Sequence, residues 1–389
     1  MREMGRHEFV PMDRVVYGKR ADVALREEAE RLNARRVYLI ASRSLNTKTD
    51  EIDRVRSALA ERYAGTFDGV AEHTTREQVV RAARLAKDVD ADLIVAIGGG
   101  SVVDAAKIVP MCMEHEIFEE GGLDGYETVS TPQGPNFGPF RAPKARMIAI
   151  PSTLSGGEYN AGTLVTDTRR KLKQIFMHPL MMPISVILDP ELTRHTPMTL
   201  WLGSGTRAMD HGIEAVCAAT GSPLTDAACL RGIRLLRDGL LAIKDDPESL
   251  EARRLCQFGS WLSAYGLSSR VRMGASHAIG HVLGGTCGVP HYFCSVIMLA
   301  SVLRYNAPAT AAAQKLIAEA LRAPDLEAGA AFEGLVAQLG LTRRLAHVQV
   351  YPDQFELIAK NAMLSMFTGT NPRPIRSPED IVEILKMAA

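Results

Sequence analysis

The chain has 389 residues, enough for about two domains, and its 45 Lys+Arg offset its 45 Asp+Glu to a formal net charge of zero. That balance leaves no electrostatic case for nucleic acid or an anionic membrane as partner. No apolar run reaches the roughly 18 residues of a membrane span, the first residues carry no apolar signal region, and Cys112, Cys217, Cys229, Cys256, Cys287 and Cys294 form no CxxC pair, so a reduced, cytoplasmic protein without a structural zinc is expected.

Val37–Ala41 is a short apolar run that reads as a buried strand. Residues 50–64 read as a helix. Thr74 and Glu77 stand in capping-box spacing ahead of a second helix that runs through the Ala-rich stretch to Ala86. Residues 93–97 are apolar at every position, as in a parallel strand covered on both faces. Residues 147–150 and Ser185–Leu188 have the same texture. Strand–helix alternation predicts an α/β domain with a parallel sheet. After Asp189-Pro190 strand-like runs become rare and Ala/Leu/Arg-rich stretches (225–243, 250–268, 307–321) predict helices. The expected division is an α/β domain over 1–190 and an all-helical domain over 191–389, with no internal repeat. Residues 118–145 are rich in Gly and Pro and lack an apolar period. A loop that long is often functional; a surface excursion, a subunit contact and an active-site lid all remain open.

The strand ending at Ile97 runs into Gly98-Gly99-Gly100-Ser101 and then a helix. Glycines let a backbone approach a pyrophosphate closely, and a helix N-terminus offers unpaired N–H groups and a partial positive charge. Taken alone, the turn is equally a tight connection. No GKS or GKT follows, and the third glycine of GxGxxG is missing. In the second half His277 and His281 lie four apart, on one helix face, among small apolar neighbours.

The stretch Gly98-Gly99-Gly100-Ser101-Val102-Val103-Asp104-Ala105-Ala106-Lys107 resembles the GGGSxxDxAK signature of the iron-containing alcohol dehydrogenase superfamily. Pro151-Ser152-Thr153-Leu154-Ser155-Gly156-Gly157-Glu158 resembles that family's second cofactor loop, Thr166-Asp167 with Lys173 its TDxxxxxK element, Leu188-Asp189-Pro190-Glu191 its interdomain crossing and Asn371-Pro372-Arg373 its C-terminal signature. They occur in family order over nearly the whole chain. The resemblance implies an α/β dinucleotide-binding domain followed by an all-α domain, the architecture shared with dehydroquinate synthases. It implies NAD(H) or NADP(H) held by Gly98, Gly99, Gly100, Ser101, Asp104, Ser152, Thr153 and Lys173, a small-molecule substrate and a homodimer. Ser42 and Arg43 stand where NAD-preferring relatives often place an Asp. Losing that carboxylate removes repulsion against a 2′-phosphate, which Arg43 could pair with.

For the second half the resemblance implies a divalent ion, Fe or Zn, on His211, His277 and His291, with His281 as a proton relay near the substrate. The sequence departs from the family at the fourth ligand: Arg207 stands four residues before His211, where the family has Asp. Arginine has no lone pair to donate, and Asp210 points about 100° around the helix from that position. The maleylacetate reductase branch also lacks this Asp, and the chain resembles that branch in its short 153–158 loop and its His281-Val282-Leu283-Gly284-Gly285-Thr286 stretch. The expected function is therefore NAD(P)H-dependent reduction of a small, acidic oxo compound. Arg207 would stabilise charge on oxygen or bind a carboxylate, and His211, His277, His281 or His291 would supply the proton. The bland role for Arg207 is an ion pair with Asp210 or Glu214. Alternatives are a metal-dependent alcohol dehydrogenase with an atypical ligand set, a dehydroquinate synthase-like lyase, and a non-catalytic interaction protein.

Overall fold

The computed structural model describes residues 7–71, 74–131 and 134–389. The first few residues and part of the 118–145 stretch lie outside them. The chain divides into two compact units, Val10–Thr196 and Pro197–Ala389, the second including the described residues up to Phe9.

The first unit holds strands β1 (Arg14–Tyr17), β2 (Val37–Ala41), β3 (Tyr63–Phe67), β4 (Leu93–Gly98), β5 (Val129–Thr131), β6 (Gly134–Asn136), β7 (Arg146–Pro151), β8 (Gly162–Asp167), β9 (Leu172–Met177) and β10 (Ser185–Leu188). Its helices are α1 (Ala21–Arg31), α2 (Arg43–Lys48), α3 (Glu51–Leu59), α4 (Arg76–Asp88) and α5 (Gly100–His115). Six strands form one parallel sheet in the order β1-β10-β7-β4-β2-β3. β2, β4 and β10 are buried at every position, which is what continuous apolar runs are for in a sheet covered on both faces. From β2 the chain crosses to β3 on one side, and from β4 it crosses to β7 on the other. The order therefore reverses between the C-terminal ends of β2 and β4, where open α/β sheets bind ligands.

Two local expectations are corrected. The helix expected over 50–64 stops at Leu59, because Ala60 adopts a positive φ of 48° and the chain continues through a short turn into β3. The capping box belongs to Thr75 and Gln78 rather than to Thr74 and Glu77; the Thr74 hydroxyl instead donates to the Ser101 carbonyl at 2.8 Å. The TDxxxxxK element is a β-hairpin, β8 against β9, with Thr166 opposite Lys173. It is anchored to α4 by the fully buried Arg76, which donates to Gln174 Oε1 at 3.0 Å and pairs with Asp124 at 2.6 Å, with the buried Asp167 alongside at 3.7 Å. After β10, the Asp189 carboxylate accepts the N–H groups of Ala21 and Glu191, so the turn that follows β10 stays with the first unit.

The second unit comprises α6 (Met198–Cys217), α7 (Pro223–Asp245), α8 (Leu250–Ser263), α9 (Tyr265–Ser268), α10 (Ala275–Cys287), α11 (His291–Ala320), α12 (Ala328–Gln338), α13 (Phe355–Ala362) and α14 (Pro378–Ala388). Among its described residues there is no strand, as the sequence pattern predicts. One core gathers Ile279, Leu283, Met298, Val302, Phe355, Ile358 and Ile384, tying α10 and α11 to the C-terminal helices. The N-terminal segment is fastened here: His7 Nδ1 lies 3.0 Å from Ser222 Oγ, and its ring stacks on Tyr265. No helix of the described residues is long and apolar enough to cross a membrane.

Candidate active site

In the first unit the residues expected to hold a dinucleotide meet at the reversal point of the sheet. The glycine turn joins β4 to α5. A Cβ on Gly98 would lie 2.9 Å from Val102 Cγ2 and 3.1 Å from Ser42 Cβ, so only glycine lets these elements close. A Cβ on Gly99 would lie 3.2 Å from Thr153 Cγ2, and one on Gly100 3.1 Å from Ser155 Oγ. The Ser42 N–H donates to Ile97 O at 2.8 Å and the Ser152 N–H to Gly98 O at 2.9 Å. Ser42, the glycines, Ser152 and Thr153 thus converge. Ser101 opens α5, whose first-turn N–H groups have no partner within the helix. Arg43 is exposed beside Ser42 at the start of α2. Asp104 is half-buried on α5; burial pushes its carboxyl up, against the pull of Lys107, the Thr163 hydroxyl and Lys173. Lys173 is exposed on β9, away from the turn in sequence, and acts on Asp104 through its field.

In the second unit the four expected histidines form a chain of rings. Centroids are 5.1 Å apart for His211–His277, 6.3 Å for His277–His281 and 5.9 Å for His281–His291. His211 and His277 are 4% exposed; His281 and His291 are half-buried. The Phe367 ring stands edge-on to both His277 (6.0 Å) and His281 (5.5 Å). Burial holds the His211 imidazole well below its ordinary range, and the fields of His277, Arg207 and His281 add to it. His211 is therefore neutral, and its Nδ1 is buried without a hydrogen-bond partner. His277 Nε2 is likewise buried and unpartnered.

Two carboxylates that the sequence reading left as bland partners of Arg207 have another task. Glu214 Oε2 accepts from His277 Nδ1 at 2.6 Å and from the Gly274 N–H at 3.0 Å, and Oε1 accepts the Ser276 N–H at 2.9 Å. A carboxylate at the N-terminus of α10 is favoured by the helix dipole. It also fixes the tautomer of His277, with Nδ1 protonated and Nε2 facing out. Burial raises the Glu214 carboxyl, but the His277 bond and charge and the two N–H donors outweigh it and leave it below its ordinary value. Asp210 accepts from the Ser276 hydroxyl at 2.8 Å. Asn371, from the C-terminal signature, accepts the Ala275 N–H at 3.1 Å, so that signature also caps α10. The sequence signal for these caps was present in HGIEA and NPR, but nothing linear links Glu214 to a helix sixty residues on.

Arg207 is 6% exposed. Its Nη1 donates to Ser295 Oγ at 2.8 Å, while Asp210 and Glu214 act on it through their field. Burial lowers its proton affinity from the usual value, but a guanidinium stays charged.

A metal ion would need a set of converging donors here. Among the described residues, three donor atoms within 4.8 Å of one another come from Asp210, Glu214 and His277, not from His211, His277 and His291. In that carboxylate group Glu214 already serves the N-terminus of α10 and His277. An ion there would compete with those donors. The unpartnered His211 Nδ1 and His277 Nε2 could ligate, but the fourth position carries a cation instead of a carboxylate. The residues present do not make the four-ligand site that the resemblance implies.

The family of iron-containing alcohol dehydrogenases matches residues 12–190, and the C-terminal domain of the same family matches residues 202–389. Maleylacetate reductase 1 of Cupriavidus pinatubonensis is 30% identical over 376 residues, spanning 97% of this chain and 94% of that protein. The chain belongs to the iron-containing alcohol dehydrogenase family. It is similar, at 28% identity over 322 residues, to the NAD-dependent methanol dehydrogenase of Bacillus methanolicus, covering 80% of this chain and 81% of that one. The solved iron-containing alcohol dehydrogenase of Corynebacterium glutamicum superposes with a TM-score of 0.84 at 25% identity, over 99% of this chain and 96% of that one. Membership in this family makes the chain an NAD(P)H-dependent oxidoreductase acting on CH–OH and C=O groups.

Proposed function

We propose that the chain reduces the carbonyl of a small oxo acid, of the maleylacetate kind, with NADH or NADPH bound at the glycine turn. The observation that carries this reading is Arg207, a buried cation in the histidine cluster at the place of a metal-ligand carboxylate. The resemblance to maleylacetate reductase 1 over nearly the whole chain supports it.

Hydride passes from C4 of the nicotinamide to the carbonyl carbon, and negative charge grows on the carbonyl oxygen. A preorganised cation in a site of low polarity stabilises that charge, and Arg207 is such a group. The oxygen then takes a proton from an imidazole. His211, held neutral, is not the donor. The donor is His277 when Nε2 as well as Nδ1 carries a proton: it is held on Glu214 through Nδ1–H, so giving up the Nε2 proton leaves the tautomer that Glu214 fixes, and it stands next to the half-buried His281 and His291 in the ring chain. A proton relayed through His291 and His281 restores His277. The product is the hydroxy acid and NAD(P)+.

A screen of NAD(P)H consumption over aldehydes, ketones and oxo acids, with and without a chelator, tests the reading. Turnover is expected to favour oxo acids and to survive chelation, with metal far below one ion per chain. Activity confined to uncharged alcohols and aldehydes, abolished by chelation and accompanied by stoichiometric iron or zinc, would replace it with the metal-dependent alcohol dehydrogenase. Sedimentation should find the homodimer that belongs to the same reading, in a cytoplasmic enzyme.

NADPH should be accepted alongside NADH, because Ser42 presents no carboxylate to a 2′-phosphate and Arg43 is an exposed cation next to it. Arg43→Ala should raise KM for NADPH about tenfold, the loss of one charge-assisted contact, and leave NADH nearly unchanged. Steady-state kinetics with both cofactors decide this; a hundredfold preference for NADH in the unmodified enzyme would refute it.

A further inference from the structure

Lys107 ends the signature stretch 98–107 and is 1% exposed. An ammonium carries three donors and no acceptor. Lys107 Nζ donates to the Gly157 carbonyl, to Asn160 Oδ1 at 3.2 Å and to the Gly162 carbonyl at 2.7 Å. All three acceptors belong to one segment, 157–162. Asn160 Oδ1 accepts the Gly162 N–H as well, at 2.8 Å, which folds that segment around the ammonium. The other end of the same loop is tied to the glycine turn, through the Ser152 N–H on Gly98 O at 2.9 Å and the approach of Thr153 and Ser155 to Gly99 and Gly100. Lys107 lies seven residues after Gly100, two turns along α5 and on the same face. The loop is thus pinned at both ends to the strand–turn–helix unit that meets the dinucleotide.

A buried ammonium is costly unless its charge is met. The charges that meet it are Asp104, one turn back on α5, and Glu158, on the loop itself. Glu158 is 1% exposed and its Oε2 has no hydrogen-bond partner. A neutral side chain could fill the space with less penalty, so retention of the charge calls for a use.

We infer that Lys107 is a positioning residue for the dinucleotide: its three donors hold the 152–162 loop against the glycine turn, and their loss weakens cofactor binding. This rests on the reading that the turn takes the dinucleotide. Burial brings the Lys107 ammonium down to about 8, against the pull of Asp104 and Glu158. Burial raises the Glu158 carboxyl to about 7, with Lys107 opposing and Asp104 reinforcing. The Tyr159 phenol is pushed well above its ordinary value by burial and then by Glu158, and stays neutral. Lys173 on β9 reaches this group through Asp104. Because burial lowers the proton affinity of Lys107, freeing the loop to solvent would take up a proton, so raising the pH through about 8 does not open it.

The test is the Kd of NADPH and of NADH, read by nicotinamide fluorescence from about pH 6 to about pH 9.5. The unmodified enzyme should bind as tightly at the alkaline end of the range as at neutrality. Lys107→Met should bind about tenfold more weakly throughout, as lost charge-assisted bonds dictate. Should that variant not fold, Asn160→Ala removes one acceptor only and should weaken binding by a smaller factor. A purely structural lysine would lower thermal stability while leaving the Kd of the folded Met variant close to that of the unmodified enzyme. That result, or an unmodified enzyme whose binding fails as pH rises through about 8, overturns the inference and leaves the glycine-turn reading standing. An unmodified enzyme that binds neither dinucleotide at any pH overturns both.

Discussion

Arg207→Met should lower kcat/KM for the preferred oxo acid by about a thousandfold, the scale on which removal of one fixed group stabilising a developing oxyanion is felt. The division of that loss is informative. A fall in kcat means that the guanidinium serves the transition state; a rise in KM alone means that it binds a substrate carboxylate. Burial is the largest influence on Arg207, and it works against the charge, but the substitution also leaves the buried Asp210 and Glu214 without its field and Ser295 without its donor, so the melting temperature should fall. Arg207→Lys keeps the charge but not the planar fork, and should recover only part of the activity. Near-normal turnover in the Met variant would remove the guanidinium from the chemistry altogether.

Glu214→Gln should lower kcat by about a hundredfold or more, by the logic of a carboxylate that orients a catalytic imidazole, and should also destabilise the fold by about 2 kcal/mol. The amide can offer its oxygen to one donor, but its NH2 then faces another N–H at the head of α10. Three donors converge on this carboxylate, from Gly274, Ser276 and His277. The imidazole would lose its partner and its fixed tautomer together. Thermal unfolding and steady-state rates, measured on the same preparation, separate the two effects. A variant that is less stable yet fully active would mean that the cap matters and the imidazole orientation does not.

The parts of the fold that were legible in the sequence are those written as contiguous runs. β2, β4, β7 and β10 are apolar nearly throughout, and a strand followed by three glycines and a helix can be read without a structure. What stayed hidden was local or non-local in a way that linear pattern does not record. β1 is four residues long with both ends exposed, at the edge of the sheet. β3 reads Tyr-Ala-Gly-Thr-Phe and is mostly half-buried, and the helix before it ends on a left-handed Ala60, a position where glycine would have given the stop away. The β8 alternation, buried at every second residue, was masked by attention to its signature residues. Two adjacent threonines both satisfied the capping pattern, and only packing against the Ser101 carbonyl separates them.

The site divides in the same way. The four imidazoles and the glycine turn were found from spacing and resemblance, and the structure gathers each set within its own unit. Glu214, Phe367 and Asn371 were not assigned a task, because each acts on α10 from a distant part of the chain. The expectation that Asp210 points away from the position a metal ligand would take came from the geometry of one helix; in the structure Asp210 lies with Glu214 and His277 in a group of potential ligand atoms within 4.8 Å of one another and accepts from the Ser276 hydroxyl.

The helical unit is discontinuous in sequence: His7 belongs with Ser222 and Tyr265, while the chain between Val10 and Thr196 builds the other unit. Synthesis therefore delivers the α/β unit whole before any helix of the second unit exists. The contacts of His7 must wait until Ser222 and Tyr265 have been made. Closing a loop of that length is slow rather than costly. Deleting the segment through Phe9 should leave the sheet unit intact and be felt, in refolding experiments, as a change confined to the late consolidation of α7 and α9.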